Sequence, residues 1–359
     1  MVVIGGGIAG LSAAWQLGEL GLTDVVVLES EPLLSMHASA RNAAIFLPLE
    51  DSLNAVWLAN RSRDLLDGRI GTSWLSAQGV TLVAGYTEPL DELRYAARKY
   101  GVFHERWGAL QIETRLPLLA SGDVHHALHL PLGGVMDVHT MLRSLEHWAR
   151  ARGTRMFTSA RVSSLDVRKG RVHGVLLADG RSISCERVVL ATGAWGSALA
   201  EPANAPLPLT ALRRHLVLLG GEHMPRWNTP VVWRVDDSPT YFRPEAGLVL
   251  ASPCDETPWD AGIPNTEPAA LENLAIKLGN LAPALVDAKV QRAWACLRTV
   301  TSDREPAVGG DPRVQGLYWL TGLGGRGMTC GVAAGELLAR TMVGLPHPLL
   351  RNLAPSRLL

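Results

Sequence analysis

Residues 2–4 form a short apolar run, residues 8–20 place Ala and Leu at helical spacing, and residues 24–29 form a second apolar run. Short unbroken runs suit strands buried on both faces, and a three-to-four-residue repeat suits a helix, so the opening predicts a strand-helix-strand unit. From Gly133 the pattern predicts a helix over 138–152 and short strands over 155–157, 160–167, 171–177 and 182–185, with Asp179-Gly180 turning the last hairpin. A buried strand over 187–190 runs into Ala191-Thr192-Gly193, and the proline-rich stretch 202–208 reads as a crossing between domains. Beyond it the sequence predicts strands over 214–219 and 231–235, a hairpin over 240–252 turning at 244–247, and a helix from Thr266-Glu267-Pro268 to Leu281. The last third returns to the opening style, with a strand over 316–321, a glycine-rich turn over 322–327 and a helix over 328–343.

That return implies an α/β fold whose first domain is discontinuous, built from 1–75, 133–203 and 299–359, with 76–132 and 204–298 forming a second, mostly antiparallel domain. A chain of 359 residues is long enough for two domains, and it carries no internal repeat. If Met1 is the true start, the first strand is unusually short, and a few residues that would have extended it are expected to be missing.

Composition narrows the function classes. Apolar residues make up 47% and charged residues 19%, with no run of 18 apolar residues, so no transmembrane segment is expected. Basic and acidic residues balance at 34 each, which leaves no overall basic field for nucleic acid. Cys185, Cys254, Cys296 and Cys330 lie far apart, without disulfide-framework or metal-site spacing, and the first residues lack a secretory signal. The expectation is a cytoplasmic protein without a metal site.

Gly5-Gly6-Gly7-Ile8-Ala9-Gly10 fits GxGxxG, and its position between a strand and a helix gives it weight. Gly5 can make the tight turn, Gly7 lets the backbone approach a pyrophosphate, Gly10 permits close helix-strand packing, and Ile8 and Ala9 open a helix whose N-terminus favours phosphate. Glu29 follows Gly10 by nineteen residues, at the end of the second strand, where a carboxylate can accept from both adenosine ribose hydroxyls and would repel a 2′-phosphate.

GGGIAGLSAA, then VVVLE, then His37-Ala38-Ser39-Ala40-Arg41-Asn42-Ala43-Ala44 resemble the D-amino acid oxidase superfamily of flavoproteins, most closely its D-arginine dehydrogenase-like and glycine oxidase-like branch. Ala191-Thr192-Gly193-Ala194-Trp195, Leu212-Arg213-Arg214, the stretch from Tyr241 to Gly247, Leu297-Arg298 and Gly324-Gly325-Arg326-Gly327-Met328 fall in that family's order, so the likeness covers nearly the whole chain. The resemblance implies a Rossmann-like FAD-binding domain beside a substrate domain. Besides the glycine turn and Glu29, it implies flavin-cofactor contacts at Ser30, His37, Ser39 to Ala44, Val162, Ala191, Thr192, Gly193, Trp195, Gly324, Gly325, Arg326, Gly327, Met328 and Thr329. The small residues Ser39, Ala40, Asn42, Ala43 and Ala44 suit a backbone lying against a flavin. Amides at Met328, Thr329 and Cys330 would face the flavin C2 carbonyl and raise its potential.

The implied chemistry is oxidation of a small amine or amino acid (a D-amino acid, glycine or an N-methyl amino acid) by hydride transfer to flavin N5. Such chemistry needs positioning and an uncharged amine, with no dedicated nucleophile. The resemblance assigns the substrate carboxylate to Arg298, Arg214 and the Tyr241 hydroxyl, with Arg213 an alternative to its neighbour; a guanidinium offers the bidentate donors such a group wants. His37 and His215 are weaker candidates for bases near the flavin. Where the arginine-specific enzymes have a histidine and then a tyrosine this chain has Ile45 and Glu50, and where a carboxylate would meet a guanidinium it has Val80, so a smaller or less polar side chain is expected. Cys296 lies where monomeric sarcosine oxidases link their flavin, but non-covalent FAD is the expectation. A 2-hydroxy acid would suit the same clamp; a flavin-binding redox partner without turnover would lack it. The acceptor is expected to be oxygen or a quinone, the latter with peripheral attachment to a membrane.

Overall fold

The computed structural model describes all residues except 51, 120–122, 222–228, 286 and 346. Its central sheet has six strands in the order Ala307–Gly310, Leu317–Thr321, Val188–Leu190, Val2–Ile4, Val26–Leu28 and Arg155–Phe157, parallel except for the first pair. The sequences VVI, VVL and VVL are buried along their whole length because the sheet is covered on both faces. Strand alternation sends Val3, Val27 and Val189 into the helical layer, and Val2, Ile4, Val26, Leu28, Val188 and Leu190 into the layer below. The first strand is no shorter than these two neighbours: each has three residues.

The helical layer is built from Ile8–Glu19 and Gly327–Met342, which cross closely: a Cβ on Gly335 would lie 2.7 Å from the Ser12 side chain. A third helix, Leu53–Ile70, was not foreseen from the sequence. It buries Ala55, Ala59, Ser62 and Leu66 at three-to-four-residue spacing, a stripe of mostly small side chains with a weak apolar signal. Ser52 Oγ accepts from the Asn54 and Ala55 amides at its start, and Ser62 Oγ accepts from Ala333 N at 3.0 Å. Helices Glu88–Lys99 and Ala109–Arg115 were likewise not foreseen.

A second sheet runs Thr257–Pro258, Leu209–Gly220, Leu248–Ser252, Thr240–Glu245, Val231–Arg234, Val80–Ala84, His126–Leu130, Glu105–Gly108. Lys289–Thr301 also pairs along Leu209–Gly220, and the sheet is antiparallel except where Val231–Arg234 meets Val80–Ala84. The foreseen strand over 214–219 thus lies mostly in the second half of a twelve-residue strand. In its register Arg214 lies opposite Cys296 and Arg298 opposite Leu212, so both arginines stand on one face as diagonal neighbours.

Candidate active site

The glycine turn behaves as its chemistry requires. Gly5 has φ +104°, and a Cβ there would lie 2.5 Å from Ala191 O; a Cβ on Gly10 would lie 1.9 Å from Gly5 O. Gly7 meets only Ser39 Oγ at 3.0 Å, leaving its backbone open to a cavity. Ser39 Oγ accepts from Ile8 N at 2.9 Å, capping the first amide of the helix that Gly7, lacking a side chain, cannot cap. Glu29, which is buried, accepts from Gly6 N at 2.7 Å through Oε2, and from Ser30 Oγ and Glu31 N at 3.0 Å through Oε1. Its carboxylate is therefore held in one orientation beside the turn.

Two cavities meet at this turn. The larger, about 970 Å³, is lined by Gly5, Gly7, Glu29, Ser30, His37, Ser39, Arg41, Val162, Ala191, Thr192, Gly193 and Trp195. The smaller, about 520 Å³, is lined by Ile8, Ala9, Asn42, Ala43, Ala44, Arg214, Tyr241, Arg298 and Gly324 through Thr329. Gly7, Ser39, Ala191, Gly193, Cys296 and Thr299 line both, so together they form one crevice along the carboxyl ends of the parallel strands. The open backbone at Gly7 and a crevice running both ways from the turn fit a dinucleotide.

The segment 39–44 is fastened from the second sheet. Arg243 Nε donates to Ala43 O at 2.6 Å, Trp294 Nε1 donates to Arg41 O at 3.3 Å, and Asn42 Oδ1 accepts from Ala44 N, which brings Ala44 to φ +55°. On the other side Gly327–Met342 begins at the cavity, and Thr329 Oγ1 donates to Ile45 O at 3.5 Å. His37 tilts against Trp195 with ring centroids 4.8 Å apart and pairs with Glu31, in the wall of the larger cavity.

Strand alternation separates the two adjacent arginines. Arg214 points into the smaller cavity, where Nη2 donates to Glu256 Oε1 at 2.9 Å and Nε is buried without a partner. Arg213 faces the other way, pairing with Glu267 and stacking over Trp259 at 4.1 Å. His215 is also turned away: Nδ1 meets Asp255 Oδ2 at 2.7 Å and Nε2 accepts from Glu267 N at 3.0 Å. Both ring nitrogens are committed, which corrects the idea of a base at His215. Burial pushes the Asp255 carboxyl up, but its hydrogen bonds from His215 outweigh this and hold it below the usual range.

The Tyr241 hydroxyl is buried without a well-formed hydrogen bond; neighbouring Ser252 Oγ already donates to His215 O. Burial pushes this phenol up, opposed by Arg298 and Arg214. Arg298 lies along Gly325, whose added Cβ would fall 2.4 Å from its Nη1, and it has no hydrogen-bond acceptor or ion pair among the described residues. Cys296 is buried in the wall of both cavities, and burial pushes its thiol up, away from the thiolate that a covalent link needs.

Some expected residues sit elsewhere. Ala40 lines neither cavity and is a turn residue whose amide donates to His37 O, while Gly10 is a packing glycine. Val80 is buried in the second sheet away from both cavities, whereas Ile45 and Glu50 line the smaller one. Residues not anticipated include Glu256, Arg304, Trp233 and Leu216, which loops and strands distant in sequence bring to the same wall. No motif marks them; strand alternation from Arg214 would have found Leu216.

A GxGxxG turn feeding a two-part crevice is the setting of a dinucleotide site. The chain belongs to the FAD dependent oxidoreductase family, whose profile matches residues 1–341. It is 26% identical over 96% of its length to the mitochondrial pyruvate dehydrogenase phosphatase regulatory subunit of Mus musculus and, over the same share, 26% identical to mitochondrial sarcosine dehydrogenase of Homo sapiens. It spans 41% and 39% of those relatives' own lengths. L-proline dehydrogenase from P. horikoshii has the same fold, with a TM-score of 0.89 at 21% identity, covering 99% of this chain and 96% of that one. Among the described residues no helix is long and apolar enough to cross a membrane.

Proposed function

We propose that the protein oxidises the Cα–N bond of a small amino acid or N-methyl amino acid, D-amino acids and glycine included, giving an imine that hydrolyses to an oxo acid. The observation that carries this reading is the convergence of Arg298, Arg214 and the partnerless Tyr241 hydroxyl on a cavity that also receives the start of the Gly327–Met342 helix. FAD, when bound, supplies the hydride acceptor. The site residues named above would hold it, with Glu29 at the ribose and the amides of Gly7 and Ala9 at the pyrophosphate, the Ile8 amide being taken by Ser39 Oγ.

The remaining work is positioning. Arg298 donates to the substrate carboxylate as a planar fork and the Tyr241 hydroxyl adds a neutral donor, fixing the Cα that lies between carboxylate and amine. Ile45, Leu216 and Trp233 give the wall apolar surface that excludes water from a neutral side chain. No histidine lines this cavity among the described residues, so the amine enters uncharged and donates no proton to a dedicated base. Sarcosine and proline, the compounds in two relatives' names, are both secondary amino acids with one carboxylate, in keeping with such a site.

The test is anaerobic mixing of the yellow protein with D-amino acids, glycine, N-methyl amino acids and 2-hydroxy acids. Bleaching by a member of the first three groups is expected, and readmitting oxygen or a quinone identifies the acceptor by return of colour. Bleaching by hydroxy acids alone, or by nothing, overturns the proposal.

A further inference from the structure

The smaller cavity contains a carboxylate where a substrate carboxylate is proposed to bind. Its wall carries Arg214, Arg298, Arg304 and Arg326 but also two carboxylates, Glu50 and Glu256, the second on the loop following Leu248–Ser252. Glu256 Oε1 accepts from Arg214 Nη2 at 2.9 Å, and Oε2 accepts from Arg304 Nη2. Burial pushes this carboxyl up, but the hydrogen bond from Arg304 and the charges of Arg214, Arg304 and Arg298 outweigh it, so Glu256 stays ionised.

The arrangement is built rather than incidental. Arg214 is 4% exposed and fixed in the middle of a long strand. Arg304 is held at φ +61°, and its carbonyl accepts from Arg326 Nη2 in the turn that opens the Gly327–Met342 helix. Glu256 therefore bridges the sheet arginine to the loop beside the proposed flavin end. Of the two diagonal arginines suited to a carboxylate, Arg214 already carries an internal one. Arg298 carries none among the described residues.

Resting on the function proposed above, we infer that Glu256 sets the charge specificity of the site: it admits substrates with a single carboxylate, held by Arg298, and rejects those with a second. The charge of Arg298 reaches Glu256, so a second carboxylate on a substrate held by Arg298 meets a like charge nearby, and Arg214 beside it is already paired. To bind, it would have to displace Glu256 from two guanidinium groups or endure an unpaired like charge in a partly dry site.

The experiment compares non-oxidisable ligands on the FAD-loaded protein, propionate with one carboxylate and succinate with two, reading the flavin absorbance change and the fluorescence of cavity residue Trp233. Wild-type protein is expected to bind succinate more weakly than propionate by about ten-fold or more. Glu256→Gln keeps the size and removes the charge, and should lower that ratio by about ten-fold, while Glu256→Asp should preserve it. Equal wild-type affinities, or a ratio unchanged in Glu256→Gln, overturn the inference; the wild-type arm decides even if the glutamine variant loses FAD. If amino acids still bleach the flavin, the catalytic reading survives such a failure. If neither ligand binds and no amino acid bleaches the flavin, that reading falls and takes this one with it.

Discussion

Replacing Gly325 by alanine perturbs Arg298 without removing it. An added Cβ at position 325 would stand 2.4 Å from Nη1, 2.8 Å from Cζ and 3.2 Å from Nε of Arg298. Carbon to nitrogen contact is comfortable near ~3.5 Å, so the guanidinium must move by about 1 Å. Gly325 is not in the left-handed region, so alanine is tolerated by the backbone and adds no strain of its own. A positioning group displaced by about 1 Å can cost about 100-fold, and losing a charge-assisted hydrogen bond costs about 1.5–3 kcal/mol, or roughly 10- to 100-fold. Gly325→Ala should therefore keep its melting temperature while, in the fraction of protein that carries FAD, the dissociation constant for an amino acid rises by about 10- to 100-fold in rapid-mixing measurements of flavin reduction. Unchanged affinity in Gly325→Ala, beside a large loss in Arg298→Ala, would refute the steric argument. Unchanged affinity in both would mean that the clamp is misplaced.

Arg298→Ala itself should raise KM for a carboxylate substrate in proportion to a loss of ~2–4 kcal/mol with flavin content little changed, checked by steady-state kinetics and absorbance. Gly10→Ala should abolish FAD binding, because its Cβ would lie 1.9 Å from Gly5 O; a yellow purified variant would contradict this. Acid precipitation should leave a yellow supernatant and a white pellet, since the Cys296 thiol is held protonated by burial; a yellow pellet that turns white in Cys296→Ser would reverse that expectation. Asp303 is lowered to about 2, first by its hydrogen bond from Arg357, so it stabilises the fold above its unfolded pKa of 3.8 and loses that contribution as pH falls toward 2. Because the Asp303 carboxylate is itself exposed, Asp303→Asn should cost only ~1 kcal/mol at neutral pH, with the gap to wild type closing below pH ~3 in denaturant titrations.

The local chemistry of the crevice was legible in the chain. Gly5, Gly7 and Gly10 declare themselves because a tight turn and a close crossing each demand glycine at one spacing, and Glu29 falls beside the turn because the whole unit is formed by neighbours in sequence. The three-residue runs at 2–4, 26–28 and 188–190 were readable as strands because burial on both faces leaves no polar alternation. The Leu53–Ile70 helix was not, since its buried stripe is Ala and Ser, and only the close approach of Gly327–Met342 makes such small side chains core. Tertiary structure also decided between Arg213 and Arg214: one residue's shift in a strand reverses its face, and neighbouring identity gives no hint of which face meets the cavity. The same holds for His215, whose two ring nitrogens are spent on Asp255 and the Glu267 amide, partners 40 and 52 residues away. Glu256 was invisible for the same reason. A carboxylate acquires meaning from the guanidinium groups it meets, and Arg214, Glu256 and Arg304 meet only because two sheet strands and two loops bring distant residues to one wall.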